Sequence, residues 1–173
     1  MYRRFAGKVA LAVVSVGLLV VGAASAGSTF QVRGVQSPNG SAQGCGPGVL
    51  GMTGNGPGLG AGLIGCWTIL TAPSFVVTPS GVVVGTGTEE FVGCLDLAGD
   101  GRCGIEDRSG TLRFSMNYSV KYDPAFTALQ HGRCHHPITG GSGGFEGATG
   151  VLRFKDDPAT GCSYYSGHLS LTG

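Results

Sequence analysis

The sequence has few charged residues and no CxxC pair. None of its residue patterns is specific enough to identify a catalytic or metal-binding site. Three of its 11 basic residues and none of its 10 acidic residues lie in the first 26 positions, so residues 27–173 carry eight basic and ten acidic side chains, a net charge of −2. A weakly acidic chain lacks the electrostatic footprint of a nucleic-acid or anionic-lipid binder. We therefore expect no nucleic-acid partner, and no cofactor is indicated.

The first 26 residues have the pattern of a secretory signal peptide. Arg3, Arg4 and Lys8 precede an uncharged apolar run over 9–21, and Ala24-Ser25-Ala26 has the small-x-small pattern of a cleavage site. The run is short for a membrane span of about 20 residues, and no later apolar stretch is long enough to cross a bilayer. We expect cleavage near Ala26 and a secreted or cell-envelope protein, with the general and twin-arginine export routes both open.

All six cysteines follow the predicted cleavage site, and an even number in an exported chain indicates disulfides. Cys94 and Cys103 flank a turn-rich segment between two strand-like runs, so we predict that they pair. The remaining pairs predicted from closeness in the sequence are Cys45–Cys66 and Cys134–Cys162.

Residues 112–122 alternate between apolar and polar side chains, which predicts a strand with one buried and one solvent-facing side. Similar patterns, broken by Gly or Pro, give about eight strands in total and favour an antiparallel β-barrel of all-β class. We predict one barrel domain over 27–173. The glycine-rich stretch at about 37–62 is interpreted as a long loop, with a hidden glycine-rich strand as the alternative.

The segment Ile138 to Gly150, followed by a strand from Val151 to Lys155, has the sequence ITGGSGGFEGATG. It resembles the Gly-Gly-Ser/Thr-Gly-x-Phe-x-Gly-x-x-Gly element of allene oxide cyclase-like and dirigent-like barrels, and the chain as a whole looks more like secreted bacterial barrels of that superfamily with no assigned role than like its plant enzymes. The resemblance covers Pro137 to Leu171. It implies a strand end, a tight glycine turn, a short helical turn and a further strand, with Phe145 plugging one end of the barrel.

The resemblance also implies an activity, because plant cyclases of this family isomerise a fatty-acid epoxide inside the barrel. Glu89 shares a strand face with Phe91 and Leu95, and an inward carboxyl group could act as an acid or base. A bulge or a position at the wet rim is the preferred alternative for Glu89. His136, before Pro137, is a second weak catalytic candidate and is expected to form hydrogen bonds at the rim.

Two other groups of residues suggest ligands. Four aromatic residues could line a hollow barrel and hold a small apolar molecule, although packed core is an alternative: Trp67, Tyr118, Tyr122 and Tyr165.

Two segments are candidates for metal sites. His131 and His135 would lie about 13 Å apart along a strand, which is too far to share a metal ion, and the calcium-like loop over 96–107 lacks an oxygen ligand at Ala98. We therefore predict no metal site.

Three functions are compatible with these features. The first is a non-catalytic exported barrel that binds a small apolar ligand or a cell-surface partner. The second, which depends on the resemblance, is an isomerase or cyclase acting on an oxidised lipid or polyketide-like substrate. The third is a structural or adhesive envelope protein that makes contact through its glycine-rich loop.

Overall fold

The computed structural model describes residues 27–54, 56, 58–71 and 73–173, so the predicted signal peptide lies outside the described residues. The described chain forms nine strands and one 3₁₀ turn at Gly40–Gln43. The strands are β1 Ser28–Ser37, β2 Leu50–Gly54, β3 Gly62–Ile69, β4 Ser74–Val77, β5 Val82–Asp96, β6 Arg108–Tyr122, β7 Leu129–Gly143, β8 Thr149–Asp157 and β9 Cys162–Leu171. No α-helix occurs among these residues, and none of their helical segments is long and apolar enough to span a membrane.

Eight strands close an antiparallel barrel in the order β1, β2, β3, β5, β6, β7, β8 and β9, with β9 pairing back onto β1. The short strand β4 pairs with the first part of β5, beyond the point where β3 ends. This arrangement confirms the all-β, eight-stranded antiparallel barrel predicted from the sequence.

The alternation over 112–122 is confirmed within β6, where Leu112, Phe114, Met116 and Val120 are buried. The interior is filled by large side chains. Those that are fully buried include Met52, Leu63, Trp67, Phe91, Phe114, Phe145, Leu152 and Leu169. Burial of this set, at roughly 1.5–3 kcal/mol for each large apolar side chain, is the main favourable term in folding.

The element between β7 and β8 has the predicted form of a strand end, a glycine turn, a helical turn and a further strand. Gly143 takes a left-handed φ of 64°, and Ala148 N donates a hydrogen bond to Phe145 O. The Phe145 side chain is fully buried, with its ring 6.3 Å from that of Phe91. Gly141 lies against the Phe145 backbone, where a Cβ atom would collide with the carbonyl oxygen.

The glycine-rich stretch is more ordered than the predicted loop. It contains the 3₁₀ turn and β2, which pairs with both β1 and β3. Gln43 of the turn covers the outer side of Gly51, and the Cys45–Cys66 disulfide ties the turn to β3. The alternative of a hidden glycine-rich strand therefore describes residues 50–54 correctly.

Two of the three predicted disulfides are present, namely Cys45–Cys66 and Cys94–Cys103. The predicted Cys134–Cys162 bridge is wrong, because both thiols are free. Cys134 lies on β7 and Cys162 on β9, with β8 between them. Two strand spacings separate their backbones by about 10 Å, which exceeds the Cα separation of a disulfide. Strand alternation also places Cys134 on the inner side and Cys162 on the outer side.

Candidate functional site

The two catalytic candidates, Glu89 and His136, meet inside the barrel. Glu89 lies on β5 opposite Phe114 of β6, and His136 lies on β7. The Glu89 Oε2 atom is 2.6 Å from His136 Nδ1, and the two residues are 4% and 3% exposed. The alternatives preferred from the sequence, a rim or bulge position for Glu89 and a rim position for His136, are therefore wrong. Glu89 belongs to a regular stretch of β5 that pairs on both sides.

Aromatic rings surround the Glu89–His136 pair. Trp67 stacks on Phe114 with 4.5 Å between ring centroids, and its ring lies edge-on to His136 at 5.4 Å. Phe154 lies 4.5 Å from the imidazole. In this apolar setting two ionisable side chains are costly to bury unless each compensates the other, which explains their close approach.

Several polar atoms of this cluster have no hydrogen-bond partner. They include Trp67 Nε1 and His136 Nε2, and the short contact between Glu89 and Nδ1 lacks hydrogen-bond geometry. The carboxylate lies beside Nδ1, so Nε2 is the ring nitrogen left free to accept or donate a proton. The arrangement could therefore support proton transfer, provided that a substrate reaches Nε2.

The four aromatic residues proposed to line a cavity do not form one surface. Trp67 and Tyr165 are in the packed core, whereas Tyr118 and Tyr122 are half-buried on β6. Tyr118 lies edge-on to Phe75 of β4, with 5.4 Å between centroids. Burial raises the pKa of Tyr118, and the nearby Tyr122 adds to the effect.

Tyr165 has a structural role that the sequence does not reveal. Its side chain passes over Gly34 of β1, where a Cβ atom would strike the ring. Its hydroxyl accepts a hydrogen bond of 2.7 Å from Leu63 N and lies 3.2 Å from the carbonyl oxygens of Thr53 and Leu63. Burial raises the pKa of the hydroxyl above its ordinary value, against the lowering effect of the Leu63 hydrogen bond. Tyr165 therefore joins β9 to β2 and β3 through the interior.

The acidic loop after β5 uses its carboxylates within the protein. Asp96 accepts hydrogen bonds from the backbone N–H groups of Gly99, Asp100 and Gly101. Asp107 accepts bonds from the N–H groups of Leu97 and Gly104. In the described part of the chain no three His, Cys, Asp or Glu side chains converge as a metal-binding group.

A groove on the outer wall is not predicted by any pattern in the sequence. It has a volume of about 610 Å³ and runs across β7, β8, β9 and β1. Its charged side chains are Arg33 from β1, Arg133 from β7, and Arg153 and Lys155 from β8, and all four are exposed. We call this surface the basic groove. A second depression of about 330 Å³ shares Arg133 and Arg153 and extends it toward β6.

None of these four cations has a carboxylate partner within 4.0 Å among the residues that the structure describes. Arg133 and Lys155 stand directly opposite each other on neighbouring strands. Tyr164, 52% exposed, lies opposite Lys155 on the next strand. The basic groove thus combines unpaired positive charge with an exposed aromatic ring.

Comparisons of the chain with models of protein families, with curated proteins and with solved structures found no match. The resemblance to allene oxide cyclase-like barrels therefore rests on the residues of the 138–150 element.

Proposed function

We propose that this protein is an exported, non-catalytic barrel that binds a cell-surface partner on its outer wall. The observation that carries the proposal is that the barrel interior is filled while the unpaired cations lie together on the outer wall. Trp67, Phe114 and Phe154 pack together inside the barrel with centroids 4.5–5.3 Å apart, which leaves little room for an interior ligand. The unpaired cations lie outside, in the basic groove.

The predicted signal peptide supports export, and the two disulfides are compatible with an extracellular location. The turn after β7 agrees with the glycine turn of allene oxide cyclase-like barrels, and we propose that the chain is a secreted member of that superfamily. A binding role on such a fold is reasonable because one fold hosts many functions, which are determined by individual sites.

Sedimentation of the purified, disulfide-bonded protein with isolated cell-envelope material tests this function. We expect the wild type to co-sediment, and we expect Arg133→Glu/Arg153→Glu to remain in the supernatant. A matched control is Arg102→Glu/Arg108→Glu, which changes the net charge equally at exposed positions outside the groove. Equal binding by both double variants would refute a role for the outer wall. A bound apolar molecule detected by native mass spectrometry would contradict the filled interior.

The Glu89–His136 contact favours a second candidate function, an isomerase or cyclase acting on an oxidised lipid or polyketide-like substrate. A buried carboxylate 2.6 Å from an imidazole nitrogen has the composition of an acid–base pair, and such groups contribute about 10²–10⁴-fold to a rate. Epoxy and hydroperoxy fatty acids are suitable test substrates. This candidate predicts at least a 100-fold loss of turnover in Glu89→Gln and normal turnover in Glu90→Gln, whose side chain faces outward toward Arg113. Equal turnover by the two variants would exclude it.

A further inference from the structure

We propose that the basic groove binds an acidic polysaccharide, a chain of sugar rings that carry carboxylate groups. This inference depends on the proposed function, because it identifies the chemistry of the partner held on the outer wall.

The first argument is the arrangement of charge. Four of the eight basic residues in 27–173 line this one groove. Like charges directly opposite each other on neighbouring strands destabilise a sheet, and Arg133 faces Lys155 in this way. Arg153 and Arg33 are both opposite Ser166, so only one strand separates them. A bound anionic chain would relieve this repulsion at several points along its length.

The second argument is the type of side chain. Arginine presents a planar set of donors that matches a carboxylate in a bidentate manner, and three of the four cations are arginines. The exposed ring of Tyr164 offers a flat apolar surface on which a sugar ring can stack, with its hydroxyl available at the edge. Ser166 lies between Arg33 and Arg153, Gln31 lies beside Arg33 at the edge of the groove, and both can form hydrogen bonds with sugar hydroxyl groups.

The shape and composition of the groove disfavour a membrane surface. Proteins that lie on anionic lipid place apolar side chains beside their basic ones. Tyr164 is the only large apolar side chain exposed in the groove, and the exposed aliphatic residues of β3 and β4 are outside it. A single exposed aromatic ring also disfavours single-stranded nucleic acid, which stacks successive bases on several rings.

Binding of defined polymers tests the inference. The probe is polygalacturonate, and the matched control polymer is its fully methyl-esterified form, which has the same backbone without the charge. We expect the wild type to bind polygalacturonate in a salt-dependent manner and not to bind the ester. Arg133→Glu/Arg153→Glu should weaken binding at least tenfold, equivalent to about 1.4 kcal/mol. Arg102→Glu/Arg108→Glu should retain it, and Tyr164→Ala should weaken binding without changing its dependence on salt.

Each contrary result has a distinct meaning. Equal losses in the two double variants would show that only net charge matters, and would overturn the inference. Tighter binding to polyphosphate or to vesicles of anionic phospholipid would also overturn it, in favour of a phosphate-bearing partner. If envelope material binds through the basic groove but polygalacturonate does not, the polysaccharide assignment fails while the proposed function survives. If neither binds through the groove, both proposals fail.

Discussion

Replacing Tyr165 by Phe should destabilise the barrel through the loss of a single oxygen atom. The hydroxyl is the hydrogen-bond acceptor for Leu63 N, and it lies within the core near the carbonyl of Thr53. Phenylalanine keeps the ring in its contact with Phe154, 5.6 Å away. The variant therefore leaves one buried N–H without a partner and creates only a very small cavity.

A buried donor left unpaired costs about 1–3 kcal/mol, and we take about 2 kcal/mol as the expected loss in the free energy of unfolding. For a domain of roughly 150 residues this loss lowers Tm by about 4–8 °C. Tyr164→Phe is the matched control, because that neighbouring hydroxyl is on the exposed outer wall and its removal should change stability by less than about 0.5 kcal/mol. Urea unfolding followed by tryptophan fluorescence measures both variants.

The same residue predicts a dependence on pH. Burial raises the pKa of Tyr165 in the folded state above the value of about 10 in an unfolded chain. Below pH 10 the Tyr165 hydroxyl is protonated in both the folded and the unfolded state, so its contribution to the free energy of unfolding is fully present. As the pH rises above 10 the unfolded state ionises first, so the free energy of unfolding falls. Tyr165→Phe should reduce this slope, whereas Tyr164→Phe should not. Equal stabilities and equal alkaline slopes in the two variants would refute the role assigned to the buried hydroxyl.

Three further changes test other parts of the fold. Phe145→Ala should lower the free energy of unfolding by about 3–5 kcal/mol, measured by urea unfolding, because the ring closes one end of the core. The double change Cys94→Ser/Cys103→Ser should cost about 2.5 kcal/mol in the same assay, since it opens a short loop in the unfolded chain. In the folded protein iodoacetamide should modify Cys162 faster than Cys134, because burial raises the pKa of the inward Cys134 thiol and the nearby Glu89 and Asp156 add to this effect. Peptide mass mapping measures both rates, and equal rates would contradict the inward placement of Cys134.

The strands with alternating side chains could be predicted from the sequence because their two sides meet different environments. In β6 every inward position over 112–122 is apolar, so the period of two is visible without any knowledge of the neighbouring strands. The same alternation correctly places Glu89 and Glu90 on opposite sides of β5. Local pattern is sufficient wherever a strand supplies its own share of the core.

The strand β7 shows why this approach fails elsewhere. Its inward positions include Gly132, His136 and Gly141, so the segment has no continuous apolar period. Large rings from the neighbouring strands fill the space that these residues leave, as Phe154 does beside His136. A strand whose core is supplied by its neighbours has no hydrophobic signature of its own. The short strand β2 has a different difficulty: only Leu50 and Met52 face the core, and the glycines at positions 51 and 54 hide so short an alternation.

The contact between Glu89 and His136 depends on register, which the sequence does not determine. Alternation gives the side of the sheet for each residue, but their approach to 2.6 Å requires the pairing of β5 with β6 and of β6 with β7. A register shift in the second pairing, between Arg113 and Phe114, adds one residue to β7. A one-residue change in register alters which side chains meet, so such contacts follow only from the assembled barrel.

The net charge gives no sign of the basic groove, because several acidic side chains interact with backbone N–H groups or with His136 rather than with the groove cations. Asp96 and Asp107 accept backbone hydrogen bonds in their loop, and Glu89 is buried beside His136. Asp157 accepts from Ala159 N in the turn that ends β8. Carboxylates held in this way contribute to the net charge of −2 but form no ion pair with the cations of the basic groove. The expectation drawn from net charge concerns nucleic acid and anionic lipid, and net charge alone does not reveal a local group of unpaired cations such as the basic groove.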